Sequence, residues 1–135
     1  MEQHIIISCT PDDKRYLNKI QKWANQGKLG GKIYVIPQDD DYFYFTDGEV
    51  DIDRLTWALK ESSLVIVLVG ESNMEHPWLE WEGEFCHQWG IKRVLLRIPY
   101  TTGAIPEEFK FLREIAYNPN AIEKELKERT NSAYY

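Results

Sequence analysis

The sequence predicts a three-layer α/β domain, a parallel sheet with helices on both faces. Strand segments alternate with helical segments along the 135 residues, which is typical of a doubly wound sheet with right-handed crossovers. Leu64 to Val69 are six successive apolar residues, as expected of a central strand buried on both faces. We therefore predict one domain with a five-stranded parallel sheet of the flavodoxin type, in the order 2-1-3-4-5.

The other elements have their own sequence signals. Thr10 to Asp13 combine an oxygen cap, a proline and two carboxylates at a helix start, and Asp51 can cap a second helix. Asn118-Pro119 begins a last helix, in which Ile122 and Leu126 are nearly the only apolar anchors. The predicted strands are His4 to Ser8, Lys32 to Ile36, Leu64 to Val69, Lys92 to Ile98 and, as a weak edge strand, Arg113 to Tyr117.

Composition excludes several classes of function. The net charge of −6 and the lack of a Lys and Arg cluster argue against a nucleic-acid partner. Cys9 and Cys86 are too few for a disulfide framework or a zinc site, and no metal or cofactor is expected. We expect no secretory signal, and the sequence has no apolar run of membrane-spanning length. We expect a cytoplasmic protein without a membrane partner.

An aromatic segment follows the second strand. Gln38 to Gly48 place four aspartates around Tyr42 to Phe45, but without the spacing of a calcium loop. Exposed aromatics in a long loop often serve a ligand pocket or a partner surface, and a short packed strand is the alternative. We predict that Phe43 and Tyr44 border the pocket or an assembly surface.

The helix after the central strand has a carboxylate on its apolar face. At ~100° per residue, Glu82 falls within this face, whereas Glu80 and Glu84 fall opposite. A carboxylate among tryptophans costs free energy unless it is hydrogen-bonded or protonated, which is typical of a working acid. The alternative is that Glu82 reaches water at the rim of the core. The predicted face comprises Trp78, Glu82, Phe85, Cys86 and Trp89.

The carboxyl ends of strands one and three should form the site, because ligands of such sheets bind there. A glutamate near hydroxyls and aromatic rings suits a sugar or nucleotide, whose oxocarbenium-like transition state it can stabilise. Walker and Rossmann glycine motifs are absent. A receiver domain would have an aspartate where Val69-Gly70 stands. The residues expected to meet here are Ser8, Cys9, Thr10, Gly70, Glu71 and Ser72.

Several of these segments resemble TIR-like domains. They are Ile5 to Ser8 with Asp12-Asp13, the strand Leu64 to Gly70, and Ser72 leading to Pro77 to Glu82. The most specific part is the W-x-x-x-E spacing of Trp78 and Glu82 within W-x-x-W-E. The resemblance is greatest to the small bacterial and archaeal group that includes the TIR proteins of Thoeris anti-phage defence. Cys9 stands where that family usually has an aromatic residue.

The resemblance implies an enzyme that cleaves the nicotinamide bond of NAD+, its substrate, and forms an ADP-ribose-derived signal, linear or cyclised. Glu82 would be catalytic, with Trp78 and Trp81 beside it and Ser8 to Thr10 in the pocket. Self-association or a phage-derived trigger protein would be its partners. Two alternatives stay open: a nucleoside deoxyribosyltransferase-type enzyme, and a non-catalytic interaction or sensing module.

Overall fold

Five parallel strands form a single sheet in the order β2-β1-β3-β4-β5. A computed structural model of the protein describes residues 2–37, 43–71, 79–102, 105 and 109–132. The strands are β1 (Glu2–Ser8), β2 (Lys32–Pro37), β3 (Leu64–Val69), β4 (Arg93–Arg97) and β5 (Glu114–Ile115). The helices are α1 (Lys14–Asn25), α2 (Ile52–Glu61), α3 (Leu79–Trp89) and α4 (Pro119–Ser132). This confirms the flavodoxin-like class, the strand order and the central position of β3.

Strand pairing moves several element boundaries from their predicted positions. β1 begins at Glu2 instead of His4, because Glu2 pairs with Lys32 of the neighbouring strand. β4 and β5 are shorter than predicted, and β5 pairs with β4 through two residues only. A 3-10 turn at Pro11–Asp13 precedes α1, so the α-helix begins three residues later than the proline suggests.

The two faces of the sheet carry different helices. Side chains alternate along a strand, and Ile5 and Ile7 of β1 pack in the same cluster as buried residues of α1 and α4. Ile6 packs instead with Leu55 of α2 and Cys86 of α3. α1 and α4 therefore cover one face of the sheet, and α2 covers the opposite face together with α3.

Tyr117 links the segment that precedes α4 to helix α1. Its hydroxyl donates a hydrogen bond of 2.8 Å to the carbonyl of Tyr16, and its ring contacts the rings of Tyr16 and Trp23. Burial raises the pKa of Tyr117 well above its usual value, with a smaller contribution from Tyr16. The hydroxyl therefore stays protonated, and it keeps this hydrogen bond throughout the physiological pH range.

A buried carboxylate on α4, unforeseen in the sequence, ties this helix to the sheet. Glu125 is almost fully buried. Its Oε2 lies 2.6 Å from Nζ of Lys92, and its Oε1 lies 2.9 Å from Nη2 of Arg113. A buried carboxylate needs such partners, because removing a charge from water costs several kcal/mol.

Replacing Lys92 with methionine should therefore destabilise the fold by about 3 kcal/mol, because Glu125 would keep only the half-exposed Arg113 as its partner. Urea unfolding measures this change. The double variant Lys92→Met/Glu125→Met should lose less stability than Lys92→Met alone, since it leaves no buried charge. An additive loss in the double variant would contradict this explanation.

Candidate functional site

The carboxyl ends of β1 and β3 lie side by side, as the sequence predicts. Ser8 at the end of β1 pairs with Val67, and β3 continues to Val69. Ser8 is fully buried, whereas Cys9 and Thr10 are half-buried. Cys9 packs against apolar clusters on both faces of the sheet. The residues after β1 thus lie directly beside the exit of the central strand.

Asp13 is the carboxylate that joins these two strand ends. Its Oδ2 accepts a hydrogen bond of 3.1 Å from Oγ1 of Thr10, and its backbone N–H donates to the Thr10 carbonyl at 3.0 Å. A Cβ added to Gly70 would lie 2.7 Å from each of the two Asp13 carboxylate oxygens. Asp13 thus presses against the backbone just after β3, where only glycine leaves enough room.

The carboxylate of Asp13 is not used to cap its own helix. Asp13 is the N-cap residue of α1, but its side chain makes no capping hydrogen bond. It is only 8% exposed. A carboxylate directed across the topological switch point is positioned to bind ligand hydroxyls or a cationic ring. The sequence predicts Asp13 only as a charge that favours the helix dipole. The one further signal in the sequence is a glycine directly after an apolar strand.

Glu71 connects the loops that follow β3 and β4. Its Oε1 accepts a hydrogen bond of 2.6 Å from the backbone N–H of Thr102. The hydroxyl of Thr101 donates to the carbonyl of Ile98 at 2.5 Å and holds the same loop against β4. Glu71 is exposed, so the rim of the candidate site carries a second carboxylate. The sequence predicted Glu71 here, but not its link to residues after β4.

α3 is the helix predicted to carry the catalytic carboxylate. Trp81 and Glu82 lie in its first turn, and the structure does not describe their side chains; Ser72 and Trp78 lie outside the described residues. Two neighbours test the predicted helix face in part. Cys86 is buried, as predicted. Trp89 is 55% exposed, so its predicted place on the apolar face is wrong. It is the last residue of the helix, and its ring lies near Phe85 and Lys60.

The exposed position predicted for Phe43 is also wrong. Its side chain is 1% exposed and packs with Ile6, Leu55 and Val65. Tyr44 is half-buried and forms an isolated antiparallel bridge with Val50. This corresponds to the alternative of a short packed strand, since Tyr44 pairs with Val50 and Phe43 packs with buried residues of α2. Phe43 therefore belongs to the core, and residues 38–42 of the same segment lie outside the described part.

The two described carboxylates at this end of the sheet have the chemistry to bind an organic ligand. Asp13 and Glu71 can accept hydrogen bonds from sugar hydroxyls and attract a cationic ring. Within the described ranges, no three His, Cys, Asp or Glu side chains are grouped to hold a metal ion. Nor does any described helix have the length and apolar character needed to cross a bilayer.

A separate groove of about 560 Å³ lies beside β2. It is formed by residues of β2 and of the last turns of α1, with His4 near the start of β1. None of the candidate-site residues Ser8, Cys9, Thr10, Asp13, Gly70 and Glu71 lines this groove. It is therefore not part of the candidate site.

Gly70→Ala should destabilise the protein by roughly 1–3 kcal/mol, because the new Cβ would lie 2.7 Å from the Asp13 carboxylate oxygens. Thermal unfolding measures this. The double variant Asp13→Ala/Gly70→Ala removes the carboxylate and should regain most of the loss. If the double variant loses as much stability as the two single variants together, contact between Asp13 and the new Cβ is not the cause of the loss in Gly70→Ala.

Comparisons with known proteins support the fold only. No protein-family model matches the chain, and no curated protein matches it. Among solved structures, the chain is similar to a 3-dehydroquinate dehydratase-like protein from Bifidobacterium longum. The TM-score is 0.51 at 9% identity, with 100% of this chain and 99% of that chain covered. At this identity the similarity identifies a shared flavodoxin-like α/β architecture and carries no information about the reaction.

Proposed function

We propose that the protein is a TIR-like enzyme that cleaves NAD+ between nicotinamide and ribose, with Glu82 as its catalytic carboxylate. The observation that best supports this is the buried carboxylate of Asp13 beside Gly70 at the switch point of the sheet. The chain runs from this point into α3, whose first turn includes Glu82. A carboxylate at the switch point suits a ligand with ribose hydroxyls.

The proposed reaction divides its roles between two carboxylates. As the glycosidic C–N bond breaks, nicotinamide leaves with the bonding electron pair and positive charge develops on the ribose. Glu82 stabilises this charge, and Asp13 accepts a hydrogen bond from a ribose hydroxyl. Water then bonds to the ribose carbon and loses a proton, which gives ADP-ribose. If an adenine nitrogen attacks instead, the product is cyclised.

Incubation of the purified protein with NAD+, followed by mass spectrometry, tests this proposal. One reaction contains lysate from phage-infected cells and a second contains uninfected lysate, which separates constitutive from triggered activity. We expect free nicotinamide and an ADP-ribose-derived product in at least the first reaction. NAD+ unchanged in both reactions would contradict the proposal.

Two further assays distinguish the alternatives. Exchange of the base of a 2′-deoxynucleoside, with NAD+ unchanged, would identify a deoxyribosyltransferase-type enzyme. Binding of NAD+ in calorimetry without turnover of either substrate would identify a non-catalytic sensing module. An Asp13→Asn variant included in both assays reports whether the switch-point carboxylate contributes to ligand affinity.

A further inference from the structure

Arg93, the first residue of β4, is a buried cation. It is only 8% exposed, and its Nη1 is buried without a hydrogen-bond partner. Lys92 and Arg97, the other cations of this region, pair with Glu125 and Glu114 respectively. No carboxylate in the described part of the chain forms an ion pair with Arg93. Its charge is therefore not neutralised by any described side chain.

The guanidinium of Arg93 contacts two aromatic rings instead. Its Cζ lies 5.7 Å from the ring centroid of Phe109 and 5.8 Å from that of Phe111. Phe109 is fully buried and packs with Leu95, whereas Phe111 is 71% exposed. The guanidinium thus lies next to one ring of the core and one ring at the surface. Because most of Phe111 is in water, its ring can move aside and let a ligand reach the guanidinium.

These ring contacts do not fully compensate for the burial of Arg93. Arginine stays protonated in proteins, so this side chain cannot lose its charge as a buried lysine or glutamate can. Cation–π contacts recover part of the desolvation cost of a buried charge. They leave the buried N–H donors of Nη1 without an acceptor, which costs further free energy. An anion with acceptor oxygens would neutralise the charge and satisfy these donors together.

The surroundings of Arg93 favour a carboxylate over a phosphate group. A carboxylate is planar and can accept two parallel hydrogen bonds from a guanidinium. It carries one negative charge, which Arg93 neutralises. A phosphate group carries about −1.5 to −2 at pH 7, and its excess charge would be costly beside phenylalanine and leucine side chains. The same rings offer apolar surface to the rest of an organic ligand.

We propose that Arg93, Phe109 and Phe111 form a binding site for a small organic carboxylate with an aromatic or aliphatic body. The carboxylate accepts hydrogen bonds from Arg93, and the body of the ligand packs against the ring of Phe111. Arg93 pairs in register with Val65, four residues before Val69. The site is therefore about 13 Å along the strands from the candidate site, and it does not depend on the proposed function.

Thermal unfolding with benzoate as the probe tests this site. Benzoate replaces chloride at constant ionic strength, so that screening does not change. The melting temperature should rise by roughly 5 °C once benzoate exceeds its dissociation constant about tenfold, because the ligand binds the folded state only. Benzyl alcohol, which has the ring but no charge, should not raise it. Inorganic phosphate should raise it less than benzoate does.

Arg93→Met is the informative variant, because methionine keeps much of the volume and removes the charge. It should lose the benzoate-dependent rise. Without benzoate it should be as stable as the wild type or more stable, since an uncompensated buried charge has gone. Arg97→Met is the matched control: Arg97 is in the same strand but pairs with Glu114 at 3.3 Å. This variant should keep the benzoate-dependent rise.

Three results would overturn the proposal. One is a wild-type melting temperature that benzoate does not raise, or that phosphate raises more. Another is a benzoate-dependent rise that persists in Arg93→Met. The third is an Arg93→Met protein that unfolds or is much less stable than the wild type without benzoate, because Arg93 would then have its partner within the protein.

Discussion

Glu82→Gln is expected to lower the turnover of NAD+ by roughly two orders of magnitude or more. Glutamine keeps the volume and much of the hydrogen bonding of the side chain but removes the negative charge that stabilises a cationic ribose. The folded state should keep its stability or gain slightly, because replacing a charge on the predicted apolar face removes a desolvation cost. Steady-state assays of nicotinamide release, together with thermal unfolding, measure both effects.

Glu80→Gln is the matched control for this prediction. Glu80 is in the same helix and has the same side chain, but it is predicted to lie about 160° away around the axis. Its replacement should change neither turnover nor stability by a measurable amount. Equal activity of the two variants would exclude a Glu82 mechanism. A Glu82→Gln protein that unfolds would show instead that this carboxylate is structural.

Phe43→Ala should reduce the free energy of unfolding by about 3–5 kcal/mol, because a fully buried ring would leave a cavity beneath α2. Phe45→Ala provides an internal comparison, since Phe45 is two residues away and 54% exposed. Its replacement should change stability by about 0.5 kcal/mol or less. Chemical denaturation of both variants measures the difference. Similar losses at the two positions would contradict the burial of Phe43.

The local pattern of apolar residues was sufficient to predict most of the fold. Six apolar residues in β3 have one stable place, a sheet centre covered on both faces. The Asp51 cap is confirmed, with its side chain accepting from the Arg54 N–H at 3.2 Å. Ile122 and Leu126 are buried, as predicted for α4. These features depend on neighbours within a few residues, so the sequence contains the information directly.

For the candidate site, the sequence was sufficient to predict which strand ends meet, but not how the side chains are arranged there. Alternation of strands and helices was enough to expect Ser8 beside the exit of β3, because parallel strands end at one edge of a sheet. The orientation of Asp13 could not be predicted in this way. A carboxylate after Thr10-Pro11 can cap its own helix or turn to a neighbouring strand. The second arrangement requires a glycine that is close in space, and this glycine, Gly70, is 57 residues away in the sequence.

The sequence by itself therefore determined which segments are strands and helices, the order of the sheet and the edge at which the strand ends meet. Only the tertiary structure decided that Phe43 is in the core, that Glu125 pairs with Lys92 and Arg113, and that Asp13 lies against Gly70. Periodicity specifies the side of an element that avoids water. It does not specify which residues from distant parts of the chain meet there, because those contacts depend on how the packed elements bring their side chains together.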